Sequence, residues 1–429
     1  MHFFEYKGRN FYAEGVPVGR IIKEVGTPVY IYSQKTLKRH YKAYDEAFGS
    51  VAHLICYSIK ANSNISVLRA FAEEGSGFDI VSGGELFRAL KAGADPRKIV
   101  FSGVGKREDE IEYALKSSIL MFNVESSQEL RAIDAIAGRL RKKAGIAIRV
   151  NPDVDPKTHP YISTGLKKNK FGIETGEAFK EYLNAKRRLK NVNPIGIDCH
   201  IGSQITKIGP FVDALRKTTD LLKRLRAEGV DIKYLDMGGG LGITYDKEEP
   251  PHPSRYGEAV IKGTKGLGVT LIFEPGRSMV GNAGILATTV VYTKKNAKKN
   301  FVIVDAAMND LARPSLYGSY HAIKAVKKNG KREMVADVVG PICESGDFLA
   351  KDREIPQVAP GDAIALMSAG AYGFSMSSNY NTRPRAAEVM VKGREFSVIR
   401  KREGLEDLVR GEEARPAKKR KKAARRKQG

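Results

Sequence analysis

Hydrophobic positions along this chain come in short clusters separated by charged stretches. Eight compact apolar runs, rich in β-branched residues, occupy Leu54–Ser58, Phe78–Val81, Lys98–Ser102, Leu120–Val124, Ile146–Val150, Gly196–His200, Lys233–Met237 and Leu271–Glu274. Between them lie segments with helical spacing of apolar residues, among them Ser66–Glu74, Gly83–Ala92, Ser126–Leu140 and Pro210–Glu228. Short apolar runs bounded by turn signals predict buried strands, and the longer periodic segments predict amphipathic helices. Eight strand-then-helix units over about 230 residues predict an α/β protein with a (β/α)8 barrel. A doubly wound open sheet is the competing arrangement.

The positions of unusual polar residues favour the barrel. In such barrels chemistry gathers at the C-terminal ends of the strands, with phosphate held after the later ones. Lys60 follows the first run and Asp79 lies within the second. Arg149 and Asn151 end the fifth, and His200 ends the sixth with Ser203 just beyond. Gly238-Gly239-Gly240 follows the seventh, while Glu274 ends the eighth and Arg277 follows it.

After about residue 280 the pattern changes. Leu286–Thr293, Asn300–Asp305, Met334–Val339, Ala363–Met367 and Ala387–Val391 read as strands joined by turns, with a helix near Leu316–Val326. This predicts a second, mostly β domain over residues 281–410, after a barrel over 31–280. Strand-like segments in residues 1–30, Phe3–Tyr6 and Asn10–Ala13, with Pro28–Tyr32 at the boundary, are expected to join the β domain.

At 429 residues the chain is long enough for about two domains with a sizeable core. No apolar run is long enough to span a membrane, and the N-terminus lacks the apolar core of a signal peptide. Three scattered cysteines, Cys56, Cys199 and Cys343, give neither a disulfide framework nor a metal knuckle, and no metal is expected. A cytoplasmic protein is the expectation. The net charge of +24 is uneven, because residues 412–429 alone carry nine basic and two acidic side chains. That segment, within a tail spanning residues 411–429, lacks apolar periodicity and is expected to be disordered, making at most non-specific polyanion contacts. No stacking aromatics interleave its charges, which argues against single-strand nucleic-acid recognition.

The rim residues make a chemical set. A lysine at the mouth of a buried strand can lose its charge by desolvation and attack a carbonyl. Lys60, in Tyr57-Ser-Ile-Lys-Ala-Asn62, is placed for this. Glycines let bare backbone N–H groups approach phosphate oxygens. Glu274-Pro-Gly-Arg277 supplies a carboxylate on a tight turn. An aldehyde-bearing phosphate with a basic ring nitrogen asks for all three, and pyridoxal phosphate fits. A dinucleotide fingerprint would instead open the fold and precede an acidic strand end. In the second half, Met308-Asn-Asp-Leu-Ala-Arg-Pro-Ser-Leu-Tyr317 sets Arg313 and Tyr317 on one face if helical, suiting a substrate carboxylate.

With these motifs assembled, the chain resembles the diaminopimelate decarboxylase family, in the fold-type III group of pyridoxal-phosphate enzymes. The resemblance runs from about Phe4 to Val398. It rests on the Lys60 motif, Phe78-Asp-Ile-Val-Ser-Gly-Gly-Glu-Leu86, His200-Ile-Gly-Ser-Gln204, Asp236-Met-Gly-Gly-Gly240, Glu274-Pro-Gly-Arg277 and Cys343-Glu-Ser-Gly-Asp347. It implies an alanine-racemase-like fold, a barrel plus a C-terminal β domain, and a homodimer with active sites at the subunit interface. It implies lysine formation from meso-diaminopimelate, the last step of lysine biosynthesis by that route. Lys60 becomes the Schiff-base lysine, and His200 the ring-stacking imidazole. Asp79 joins the cofactor site. Ser203, Gly238, Gly239, Gly240 and Tyr372 hold the phosphate, and Glu274 the ring nitrogen. Arg277, Arg313 and Tyr317 grip the distal carboxylate and Glu344 the distal ammonium, with Tyr372 and Arg277 serving cofactor and substrate alike. Cys343 and Glu344 arrive from the partner subunit, Cys343 as the proton donor to Cα.

Such a clamp would reject lysine, which lacks a second carboxylate. Decarboxylases of ornithine, arginine or carboxylated polyamines are the nearest rivals, but their substrates lack the distal amino-acid head. Alanine racemase chemistry needs a dedicated tyrosine acid–base. A single-barrel pyridoxal-phosphate carrier would lack the second domain.

Overall fold

The computed structural model describes residues 2–155, 170–330 and 332–412. The basic segment 413–429 lies outside the described residues. Eight parallel strands close into a barrel in chain order: His53–Ser58, Gly77–Ile80, Ile99–Phe101, Met121–Val124, Ala144–Asn151, Val192–Asp198, Tyr234–Asp236 and Thr270–Phe273. The last pairs with the first through Leu271↔His53 and Phe273↔Ile55. The open-sheet alternative is thereby excluded.

Six of the eight expected strand ends move, each by one or two residues, and two of the shifts fall on expected site residues. The sixth stops at Asp198, not His200, and the eighth at Phe273, not Glu274. Beyond these points the backbone turns from the ladder into crossed tip contacts. Cys199 N donates to Asp236 O at 2.9 Å, and Glu274 N to Gly238 O at 2.8 Å. His200 and Glu274 therefore sit on fixed turns at the rim.

Amphipathic helices surround the barrel. Ser127–Arg139 illustrates the pattern: Ser126 Oγ accepts from Glu129 N at its start, while Leu130, Ile133, Ile136 and Ala137 bury one face. Gly209–Ala227 likewise occupies the expected Pro210–Glu228 segment, shifted by one residue.

Strand periodicity fixes what the barrel encloses. Alternate residues of a strand face one side, so inward positions recur every second residue. Cys56, Val100, Met121, Ala147 and Ile272 pack together as an apolar layer. Two residues further along the chain, at or just past the strand ends, stand Ser58, Ser102, Asn123, Arg149 and Glu274, all buried. Asp79, Asp198 and Asp236 occupy the corresponding level of the second, sixth and seventh strands, with Ser58↔Asp79 and Asp198↔Asp236 in direct register. The barrel thus changes from hydrocarbon to polar groups in one step toward its C-terminal mouth.

A second, sheet-rich unit covers that mouth. Its strands run in the order Phe348–Pro356, Glu333–Val339, Asn300–Val304, Gly284–Lys295, Val29–Ser33, Ala387–Lys392 and Glu395–Arg400. Ala363–Leu366 also pairs with Gly284–Lys295, and Ile323–Ala325 pairs with Ala363–Leu366. Phe4–Lys7, Asn10–Ala13 and Val16–Pro17 form a separate three-stranded sheet. It packs on the larger one, Phe4, Phe11 and Ile21 sharing a core with Ile285, Met367 and Val389.

The helix expected near Leu316–Val326 is shorter and earlier, at Arg313–Tyr317. Gly318 ends it in the left-handed region, at φ 61°, which a glycine adopts without a Cβ penalty. The chain then extends, and Ile323 pairs with Leu366 as a strand.

Polar contacts fasten the two units beside Lys60. Tyr372 N donates to Ala61 O at 2.8 Å, and Asn62 Nδ2 to Gly370 O at 3.2 Å. Buried Glu388 accepts from Tyr32 Oη, Asn64 Nδ2 and Arg400 Nε at 2.8, 2.8 and 2.6 Å. No helix among the described residues is long and apolar enough to cross a membrane.

Candidate active site

The polar layer is the floor of the site. Asn123 Nδ2 lies 3.1 Å from Ser102 Oγ, 3.1 Å from Glu274 Oε1 and 3.3 Å from Asp236 Oδ2. Ser102 Oγ donates to Glu274 Oε1 at 3.2 Å. Carboxylate oxygens of Asp198, Asp236 and Glu274 all lie within 4.8 Å of one another. Burial pushes the Glu274 carboxyl well above the usual range, and Asp236, Asp79 and Asp198 add to the shift. Burial likewise raises Asp236 to about 6. So dense a cluster retains protons near neutrality, and Glu274 stands at its upper edge.

Lys60 rises from a one-turn 3₁₀ helix, Ile59–Ala61, directly after the first strand. Its Nζ donates to Asp79 Oδ2 at 2.5 Å, and Ser58 Oγ donates to the same oxygen at 2.5 Å. Desolvation opposes the ammonium charge, but Asp79, then Glu274, outweigh it and hold Lys60 above its ordinary value. The sequence-based expectation of an amine neutralised by desolvation is therefore corrected, because a carboxylate at ion-pair distance exceeds the cost of partial burial.

His200 reaches over the mouth from the sixth turn, where Gly239 N donates to its Nδ1 at 3.1 Å. Burial, then Arg149 and Lys60, hold its pKa well below 6.5, so the ring is neutral. Gly240 lies at φ 112°, and a Cβ there would collide with the Gly202 carbonyl. Only glycine fits this turn, and Gly240 itself lines the cavity, where a bare backbone can approach an anion.

Another part of the wall is cationic. Arg277, on the turn after the eighth strand, donates to Ser203 Oγ at 3.1 Å and to Tyr245 Oη at 2.8 Å. Its guanidinium also lies 4.9 Å from the Tyr372 ring centroid. Arg313 enters from the β unit on its five-residue helix, and Tyr317 follows one turn later. Both arginines are buried, and among the described residues neither has a carboxylate at ion-pair distance.

These groups surround one cavity of about 340 Å³. Of the residues expected at the site, Lys60, His200, Ser203, Gly240, Glu274, Arg277, Arg313, Tyr317 and Tyr372 line it. Asp79 stands just behind through Lys60, and Gly238 and Gly239 form the turn leading to Gly240. Cys343 and Glu344 do not line it. Both are exposed, with Cys343 N bonded to Asn381 Oδ1 at 2.9 Å and Glu344 Oε2 accepting from Tyr380 Oη at 2.6 Å. Sequence reading did not single out Ser58, Ser102, Asn123, Tyr245 or His321. The first three stand two places beyond an inward apolar residue, a signal that becomes readable only once the facing of each strand is known.

The residues present fit pyridoxal phosphate. An amine, a turn that admits only glycine and an acid share one rim, and two guanidinium groups without a carboxylate partner among the described residues can take further anionic charge.

Residues 34–281 match the family model described as pyridoxal-dependent decarboxylase, pyridoxal binding domain. A diaminopimelate decarboxylase of Pseudomonas aeruginosa is 51% identical over 416 residues, covering 97% of this chain and 100% of its own length. One of Aquifex aeolicus is 52% identical over 408 residues, covering 95% of this chain and 96% of its own. The crystal structure of diaminopimelate decarboxylase from Helicobacter pylori complexed with L-lysine shares 48% identity at a TM-score of 0.89, over 92% of this chain and 98% of that one. The chain belongs to the diaminopimelate decarboxylase family of pyridoxal-dependent decarboxylases.

Proposed function

We propose that the protein converts meso-2,6-diaminopimelate to L-lysine and carbon dioxide with pyridoxal phosphate, as a carbon–carbon lyase closing lysine biosynthesis. The observation that carries this reading is one cavity that joins a reactive amine and an acidic floor to two buried guanidinium groups without acidic partners among the described residues.

Bound pyridoxal phosphate supplies an aldehyde for the substrate amine and a ring that accepts the electron pair left when carbon dioxide departs. Lys60 is the tethering amine, with Asp79 steering its proton. His200, held by Gly239 N in the cavity wall, would support the cofactor ring as a neutral imidazole. Ser203, Gly238, Gly239, Gly240 and Tyr372 hold the phosphate. Glu274, fixed by Ser102 and Asn123, keeps a proton at the ring nitrogen. Arg277, Arg313 and Tyr317 bind the far carboxylate. Gripping the substrate there orients the bond to be broken at the reacting carbon, so distal binding energy is used in the transition state.

Cys343 and Glu344 complete the site of a second copy in a homodimer, Glu344 binding the distal ammonium and Cys343 returning a proton to Cα. Their exposure away from this chain's own cavity supports that assignment. We place the enzyme in the cytoplasm and assign the basic tail at most loose contacts with polyanions.

Carbon dioxide release should be measured from meso-diaminopimelate, ornithine and arginine with the loaded enzyme. Turnover confined to the first is expected. Equal rates on all three would defeat the substrate assignment.

A further inference from the structure

We infer that Tyr245 and His321 are positioning residues that set the Arg277 and Arg313 guanidinium groups for a ligand carboxylate. The inference rests on the decarboxylase reading and identifies what builds its carboxylate selectivity.

Two cations crowded into one buried wall repel each other, so something must fix their separation. Tyr245 does this with a single ring. The Arg313 guanidinium carbon lies 4.5 Å from its centroid and that of Arg277 5.8 Å, and the Tyr245 hydroxyl accepts from Arg277 Nη1 at 2.8 Å. Cation–π contacts gain strength when desolvated, as here.

His321 locks the other side. It is fully buried, and its ring meets Tyr245 edge-on at 5.5 Å and 79°. His321 Nδ1 lies 2.8 Å from Met367 O, and a carbonyl oxygen only accepts, so Nδ1 carries the proton. Nε2 is then left with a lone pair, which accepts from Arg313 Nη1 at 3.0 Å. A charged imidazole would present a second donor and break this bond. Burial and the neighbouring Arg313 prevent that, lowering the His321 pKa to about 3. Arg313 therefore uses one N–H on His321, and its remaining donors have no protein acceptor among the described residues.

The test is steady-state kinetics of the loaded enzyme with meso-diaminopimelate, beside pyridoxal-phosphate affinity and thermal midpoint. His321→Leu should raise KM about tenfold, equivalent to about 1.4 kcal/mol, with kcat within about threefold and cofactor affinity retained. His321→Gln, which keeps an acceptor for Arg313, should recover most of the loss. Tyr245→Phe should raise KM less than Tyr245→Leu, because it removes only the hydroxyl. Equal KM values in the Leu and Gln variants, or loss of kcat and cofactor affinity at unchanged KM, would overturn the inference. Should His321→Leu fail to fold, the Tyr245 pair decides, and an unchanged KM in Tyr245→Leu sinks it. A parent enzyme inactive on meso-diaminopimelate would defeat the functional reading and this inference together. An active parent with insensitive variants defeats the inference alone.

Discussion

Lys60 Nζ and Asp79 Oδ2 lie 2.5 Å apart, at the point where the first strand of the barrel opens into the cavity. The pair keeps the amine protonated until a ligand redistributes charge around it. Only the neutral amine attacks an aldehyde. Removing the carboxylate as Asp79→Asn should lower the Lys60 pKa and enlarge its neutral fraction at a given pH. Capture of pyridoxal phosphate by cofactor-stripped enzyme, trapped with borohydride, should then reach half its maximal rate at a lower pH than in the parent. Peptide mapping should find the label on Lys60 in both, and a label elsewhere would remove the basis of the proposed chemistry. Lys60 also contributes to stability through its raised pKa. That contribution is complete below the unfolded value of 10.5 and is lost only as pH rises beyond it, so it is constant near neutrality.

His321 gives a pH dependence of the opposite sense. Its pKa falls from 6.5 to about 3 on folding, chiefly through burial. Between these values the unfolded chain binds the proton and the folded chain does not, so stability rises with pH across that window. A difference of this size amounts to several kcal/mol between pH 3 and 6.5. In urea denaturation, His321→Gln should therefore flatten the loss of stability between about pH 6 and 4 relative to the parent. An unchanged slope would show that His321 does not govern it.

The barrel was legible because each strand is a short apolar run closed by a turn, and turns carry polar groups that stand out. Lys60, His200, Glu274 and Arg277 were found that way. Asn123, Ser102 and Asp198 were missed because a parallel strand covered on both faces reads as continuously apolar, hiding which side each residue takes. Only the register of Met121 with Asn123, and of Val100 with Ser102, reveals the polar step. Tyr245 and His321 lie far apart in loops and connecting segments, and no periodicity links them. The Leu316–Val326 segment misled because its apolar spacing resembles a helix, while Gly318 breaks it and the pairing of Ile323 with Leu366 is a long-range contact.

Glu388 is a second consequence of distant pairing. Fully buried, it joins Asn64 beside the Lys60 turn to Tyr32 and Arg400 of the large sheet. Replacing it by Leu leaves three buried or half-buried donors unsatisfied. Breaking such a network costs about 3 kcal/mol, and we expect a matching fall in the denaturation midpoint of Glu388→Leu. Arg400→Ala should cost no less, because it leaves the fully buried Glu388 carboxylate without its ion-pair partner. A much smaller cost would mean that the neutral donors Tyr32 and Asn64 suffice to hold the carboxylate.

The separation of Cys343 and Glu344 from the Lys60 cavity has a direct test in mixed dimers. If a complete site takes its amine from one copy and its thiol from the other, Lys60→Ala and Cys343→Ala enzymes are each inactive for different reasons. After subunit exchange, a heterodimer holds one site with both defects and one with neither. Random mixing at equal concentrations makes half of the dimers mixed, so about one quarter of the parent's activity per site should return. The recovered activity should grow with exchange time and vanish when the two proteins are cross-linked as homodimers beforehand. If each chain instead forms its whole site alone, every site in the mixture keeps one defect and no activity returns, whatever the ratio.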